Sequence, residues 1–184
     1  MLKKQTTSVK GIVKLNLKSI GELIQNSKWN DWWDSQEIAV PYFDNLKLKF
    51  TIMDVDKNEI DDHFNLAIED FLKLTRQDRL SVSPYIFDDY NEFVDLVGED
   101  SFDFTIENGV DVWEHIQPQF ISVSRRKKDG LIYVVIHANC DWEEEHGVQI
   151  IYRNGNQLSR VSPKDGHLTY ADAHGLDDTE DKIR

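Results

Sequence analysis

The stretch HANCDWEEEHG, residues 137–147, holds the densest chemistry in the chain. The lone cysteine, Cys140, is followed by Asp141, Trp142, Glu143, Glu144, Glu145 and His146. A thiol, four carboxylates and an imidazole this close raise four chemistries. They are metal ligation, nucleophilic attack, acid–base catalysis and presentation of negative charge to a basic partner. The plain alternative is a solvated hairpin loop, because a charge run is usually a wet face.

Zinc requires histidine and cysteine to converge. His137 and Cys140 are three apart on a strand, and an odd separation puts them on opposite faces. His146 lies beyond the turn, while His167 and His174 are far along the chain. The stretch DVDKNEIDDHFN opens like a calcium loop at Asp54, Asp56 and Asn58. It then places Glu59 where a glycine belongs and Asn65 where a bidentate glutamate belongs. Cys140 with His146 is the only local thiol–base pair, and a free cysteine after an apolar strand is usually a small buried hydrophobe. The glycine loops of nucleotide sites and the signatures of serine hydrolases and zinc proteases are missing. Exposed carboxylates stay ionised near neutral pH and make poor general acids. No catalytic residue, metal or cofactor is assigned on these grounds.

Charge narrows the partner. Against 21 basic side chains stand 34 acidic ones, a net charge of -13. Nucleic acid and anionic membranes both demand clustered Lys and Arg, so neither is expected as a partner. A basic protein is, because long-range attraction speeds its capture. One cysteine excludes an intrachain disulfide, and the lysine-bearing start has no apolar run of signal-peptide length. The reading is a cytoplasmic protein, with its oligomeric state left open.

The elements that must position these residues follow from periodicity. Val13, Leu15 and Leu17 alternate with lysine and asparagine, a half-buried strand. SIGELIQN reads as a short helix. Trp29, Trp32 and Trp33 fall together and are expected to cover the core edge. QEIAV and LKLKFTI form a hairpin around Asp44-Asn45. An amphipathic helix follows, capped by Asn58, with Ile60, Phe64, Ala67, Ile68 and Phe71 inward. Ser83 and Pro84 open a second helix with Ile86, Tyr90, Phe93, Val94 and Val97 as its stripe and Gly98 at its end. VDVWEHIQP is a helical turn. Four strands then make a meander, the second of them apolar on both faces, and Asn154-Gly155 marks the last hairpin. The acidic stretch 173–184 is expected to be flexible. The sum over residues 1–184 is one α+β domain: an antiparallel sheet of about six strands with a C-terminal four-stranded meander, covered by two main helices.

The stretches SQEIAVPYFDNLKLKFTI, SPYIFDDYNEFVDLVG, CDWEEEHG and DGHLT resemble an uncharacterised family of bacterial cytosolic proteins, a domain of unknown function. The resemblance covers roughly residues 33–172. It carries no activity, but similar small acidic domains serve as immunity proteins in bacterial toxin systems. It therefore implies a non-catalytic, immunity-type inhibitor of a basic toxin or effector enzyme. The partner contacts would be Asp141, Trp142, Glu143, Glu144, Glu145 and His146, joined by Asp165 and His167 where the last strand returns. Acids there would stand in for phosphate in the partner's cleft. Two other readings stay open: a metal-binding or hydrolytic enzyme using His146, His167 and the carboxylates, and a structural or regulatory domain in which Asp165 or His167 braces the turn.

Overall fold

Eight stretches of extended backbone pair into one sheet whose order follows the chain. In this computed structural model, which describes residues 13–184, they are β1 (Lys14–Leu17), β2 (Gly21–Gln25), β3 (Trp33–Val40), β4 (Leu46–Ile52), β5 (Ile116–Arg125), β6 (Ile132–Cys140), β7 (Val148–Arg153) and β8 (Gln157–Pro163). Neighbouring strands are antiparallel except β4 and β5, which pair in parallel from Phe50–Ile121 to Ile52–Val123. A parallel pair needs a long crossover, and the crossover carries the two main helices. These are α1 (Asp62–Phe71) and α2 (Arg76–Val97); a third, short helix is α3 (Tyr170–His174). The lysine-rich start, residues 1–12, lies outside the described residues.

The fold is α+β, as expected, with eight strands in place of about six and with one parallel pair in an otherwise antiparallel sheet. One difference falls at Gly21–Gln25, read as a helix. These five residues are too few to display a period, and the fully buried Leu23 pairs with Leu15 on one side and Ser35 on the other. The meander stands where it was expected. In β6 every residue from Ile132 to Ile136 is buried, so both faces of the sheet are covered there.

Both helices begin elsewhere than expected. Asp61 caps α1 by accepting the His63 N–H at 3.0 Å, while Asn58 spends its donors on Asp56. The inward stripe of α1 holds: Phe64, Ala67, Ile68 and Phe71 are buried. For α2 the cap is Thr75, in a reciprocal box with Asp78, so Pro84 sits inside the helix. Ser83 is no cap; its hydroxyl accepts the Trp113 indole N–H at 2.8 Å. Ile86 and Tyr90 face the core, but Val97 is exposed. The VDVWEHIQP turn is a 3-10 turn over Asp111–His115, and the chain passes directly from it into β5 through Pro118. Trp33 is buried and donates its indole N–H to the Val55 carbonyl; Trp29 is exposed.

The helices cover one face of the sheet, where the main core lies. On the other face Tyr133, Val135 and Ile151 form a small cluster with Leu131 and Leu168. The stretch 173–184, expected to be flexible, is tied to the sheet through Arg153–Asp181 and a hydrogen bond from the Val161 N–H to the Arg184 carbonyl. No helix among the described residues is long and apolar enough to cross a membrane.

The Asn154-Gly155 hairpin is also a packing contact. Both residues take positive φ, 48° and 83°, and a Cβ on Gly155 would fall on the Ala67 carbonyl oxygen of α1. Gly155→Ala therefore meets both backbone strain and a steric clash. It is expected to lower stability by at least about 2 kcal/mol, read in urea as a lower midpoint with unchanged slope.

Candidate functional site

Four residues build the acidic turn, and two of them, Trp142 and Glu143, bury their side chains. Asp141 leaves β6 and accepts from Gln117 Nε2 at 2.9 Å, and it contacts His115 Nδ1 at 3.0 Å. Trp142 then turns into the core and is 2% exposed. Its indole N–H donates to Asp89 Oδ2 of α2 at 3.2 Å, and its ring meets Tyr90 edge-on at 5.8 Å. Glu143 is also buried; its carboxylate accepts the backbone N–H groups of Glu145 and His146 at 3.1 and 2.9 Å. Gly147, at φ 65°, closes the turn against the Ala138 carbonyl. What remains in solvent is Asp141, Glu144, Glu145 and His146. The contact role expected for Trp142 thus meets a different placement, because its indole fastens the turn to α2 from inside.

Asp165 and His167 follow β8 and are committed to β7 and β8 rather than to the turn. Asp165 grips the buried Arg160 with both oxygens, at 2.7 and 2.6 Å. It also accepts from Gln149 and from the His167 N–H. Burial alone would raise its pKa, but the Arg160 hydrogen bonds and the His167 N–H outweigh burial and hold the carboxyl below the usual range. Among the described residues, no hydrogen bond or ion pair joins Asp165 or His167 to residues 141–146. The bracing of the turn that the structural reading expected from Asp165 or His167 is supplied by Glu143 and Trp142.

Alongside the turn runs a row of acids that sequence reading did not single out. Asp88, Asp89, Glu92 and Asp95 lie on α2, three of them four and three residues apart and hence on one helix face. A groove of about 230 Å³ opens between this face and β8, lined by Tyr85, Asp88, Asp89 and Glu92 opposite Arg160 and Pro163. A shallower cleft over Leu96, Phe93 and Pro163 joins it to Glu143. Asp89 lies at the junction. Burial pushes its carboxyl up to about 6; the Trp142 N–H and Arg160 oppose this, and the Glu143 charge adds to it. The row was legible from DDYNEFVD, whose acids recur at helical spacing.

The chemistry available is narrow. Burial pushes the Cys140 thiol up to about 12, with the Glu143 backbone opposing, so it is no nucleophile near neutral pH. His137 and Cys140 do face opposite ways: Cys140 joins the main core, and His137 meets Ser122 Oγ at 2.8 Å beneath the Phe120 ring. A serine hydroxyl on a histidine is the contact a nucleophile needs. Here Ser122 is 5% exposed, and burial, then the Lys164 charge, holds His137 down to about 4, which makes it a weak base. Asp54 and Asp56 hold their own loop, with Asp54 accepting the Trp32 indole N–H. Glu143, Glu145 and His146 bring one ligand atom each within 4.8 Å of one another, a donor set suited to a divalent cation. His167 is not part of that set.

Asp89 gives a test of the turn's attachment. Its folded pKa lies above the unfolded value, so between about pH 4 and 6 the folded chain keeps a proton that the unfolded chain has lost. Stability from this group falls as pH rises through that window and stays low above it. Asn at this position stays neutral and still accepts the indole N–H. Asp89→Asn should therefore gain on the wild type by roughly 2–3 kcal/mol between pH 4 and 7. Urea melts of both proteins check this. His137 pulls the other way in the same window and drops out of the difference.

No curated protein matches the chain, and no solved structure does. A family profile does match, over residues 19–168, which takes in all eight strands but β1, both main helices, the acidic turn and Asp165 to Leu168. That span is most of the sequence, and the chain belongs to the family described as Domain of unknown function (DUF6985).

Proposed function

We propose that this chain is a non-catalytic domain that binds a basic protein, acting in the cytoplasm as an immunity-type inhibitor of a basic toxin or effector enzyme. One observation carries the reading. Glu143, between Trp142 and the exposed Glu144 and Glu145, lines one cleft with Asp89 and Glu92 of α2, whose neighbours Asp88 and Asp95 are exposed too, and the two elements are locked together through Trp142 and Asp89. Like charges repel, so such a row costs stability unless something cationic meets it. A rigid acidic surface on a chain of net charge -13 steers a basic partner and speeds its capture. It also suits a cleft built for phosphate, where the carboxylates would take the place of the phosphate oxygens. The inert Cys140 and weakly basic His137 agree with a role without chemistry.

Affinity capture with the tagged chain at low and high salt, followed by mass spectrometry, identifies the partner as a basic protein retained only at low salt. With that partner in hand, Glu144→Lys combined with Glu145→Lys should slow association at least roughly tenfold at low salt while changing dissociation less. An unchanged association rate removes the turn from the interface.

The alternative with an observation behind it is a metal site at Glu143, Glu145 and His146. It requires stoichiometric metal in protein purified without added metal, lost in His146→Ala. Metal-free protein by elemental analysis excludes it.

A further inference from the structure

The proposed acidic surface already holds a basic side chain of its own. Arg184 lies in the groove between α2 and β8 and pairs with Glu92. Its backbone takes part as well. β8 is the last strand of the sheet, and its Val161 N–H donates to the Arg184 carbonyl at 2.9 Å. One residue thus makes a strand-like backbone bond to a sheet edge and sends a guanidinium to the acids of the neighbouring helix.

We propose that this groove is the receptor for an extended, arginine-bearing segment of the basic partner, with Arg184 standing where the partner's arginine stands. The inference rests on the basic-protein reading above and names the contact within it. A sheet edge supplies backbone bonds to any extended peptide, and alternate side chains give the specificity. Here the side chain facing α2 meets Asp88, Asp89 and Glu92, with Tyr85 as an aromatic wall that suits a planar cation. Among the described residues, Arg184 is the one cation in an ion pair with Asp88, Asp89, Glu92 or Asp95. The other cation lining the groove, Arg160, is already neutralised by Asp165.

The internal contact is weak enough to displace. The side chains of Arg184 and Glu92 are 54% and 58% exposed, and ion pairs so exposed hold little. Tethering keeps Arg184 at high effective concentration all the same, so it acts as a resident competitor that a partner must outbid. The contact therefore sets a threshold: a single surface arginine on a passing protein does not displace it, whereas a segment with edge-strand bonds and several cations does.

The probe is a fluorescent peptide of alternating serine and arginine, six residues long, followed by anisotropy at low salt. Arg184→Ser should bind it at least fivefold more tightly than the wild type, and binding should shift the Val161 amide resonance. Asp88→Asn with Glu92→Gln, both exposed and checked for folding by circular dichroism, should weaken binding at least tenfold. A lysine-for-arginine peptide should bind less well than the arginine form. An Arg184→Ser affinity equal to that of the wild type overturns the inference, as does binding that survives loss of Asp88 and Glu92. If binding instead depends only on Glu144 and Glu145, the inference fails and the basic-protein reading stands. If no basic peptide binds any variant and affinity capture also yields no salt-sensitive basic partner, both fail.

Discussion

The hydrogen bond from the Trp142 indole to the Asp89 carboxylate, 3.2 Å long, fixes how the acidic turn stands on the rest of the molecule. Trp142 follows the last residue of β6, and Asp89 is in the middle of α2, so the bond joins the sheet to the helix layer where the chain leaves the sheet. A buried indole N–H without a partner is costly, and a buried carboxylate without a donor is more so. Each satisfies the other, and Tyr90 closes the ring contact. Because Asp89 titrates near 6, this bond is also where the protein carries a desolvated charge at neutral pH. That arrangement concentrates negative potential at the mouth of the groove, since a charge in a poorly screened site is felt further than one in water.

A chain this acidic needs its cations well placed. Arg126 is buried and bridges Asp129, Asp172 and Asp178 at 2.6–2.7 Å, which holds the stretch after β8 against β5 and the turn that follows it. The hydrogen bonds that Arg126 donates to Asp172 and Asp178 raise its pKa well above the ordinary arginine value. Arg153 does the same for Asp181, and Arg160 for Asp165. Three arginines thus fasten the last third of the chain by bidentate or bridged pairs that lysine would serve poorly. Asp88, Glu92 and Asp95 of α2 and Glu144 and Glu145 of the turn are exposed and lie outside these arginine networks, and that contrast marks them as a surface, whereas Asp89 and Glu143 hold the turn in place.

Much of the fold was legible because single residues decide it. Asn154-Gly155 announces a hairpin, and the apolar run of β6 announces a strand covered on both sides. Gly21–Gln25 was not, since its strand character comes from pairing on both sides and not from its own pattern. The start of α2 was hidden because Pro84 attracts the eye as a first-turn residue, while Thr75 and Asp78 form the box three residues apart that truly starts it. The parallel pairing of β4 and β5 has no local signal. At the site, Trp142 among five charged or titratable neighbours read as exposed. Its parity says otherwise: Ile132, Val134, Ile136, Ala138 and Cys140 face the main core, and the next position of that series is Trp142. The role of Glu143 is not readable, because which backbone N–H groups a turn presents depends on a shape that only folding creates.

The two motifs that carry the resemblance divide unequally once their contacts are known. In DGHLT, Asp165 holds Arg160, and the Thr169 side chain caps α3. These jobs account for the motif by stability alone. In CDWEEEHG, Cys140, Trp142, Glu143 and Gly147 are internal, each committed to a backbone or core contact. Only Glu144, Glu145 and His146 reach solvent without such a task, since Asp141 is spent on His115 and Gln117. Three side chains are too few for an interface of ordinary size. A partner that used the turn would have to cover the neighbouring surface too, and the neighbouring surface of matching charge is the α2 row and its groove. The structure of the turn thus argues outward: its rigidity makes it a fixed rim, and the cleft it borders is where the greater part of any contact area must lie.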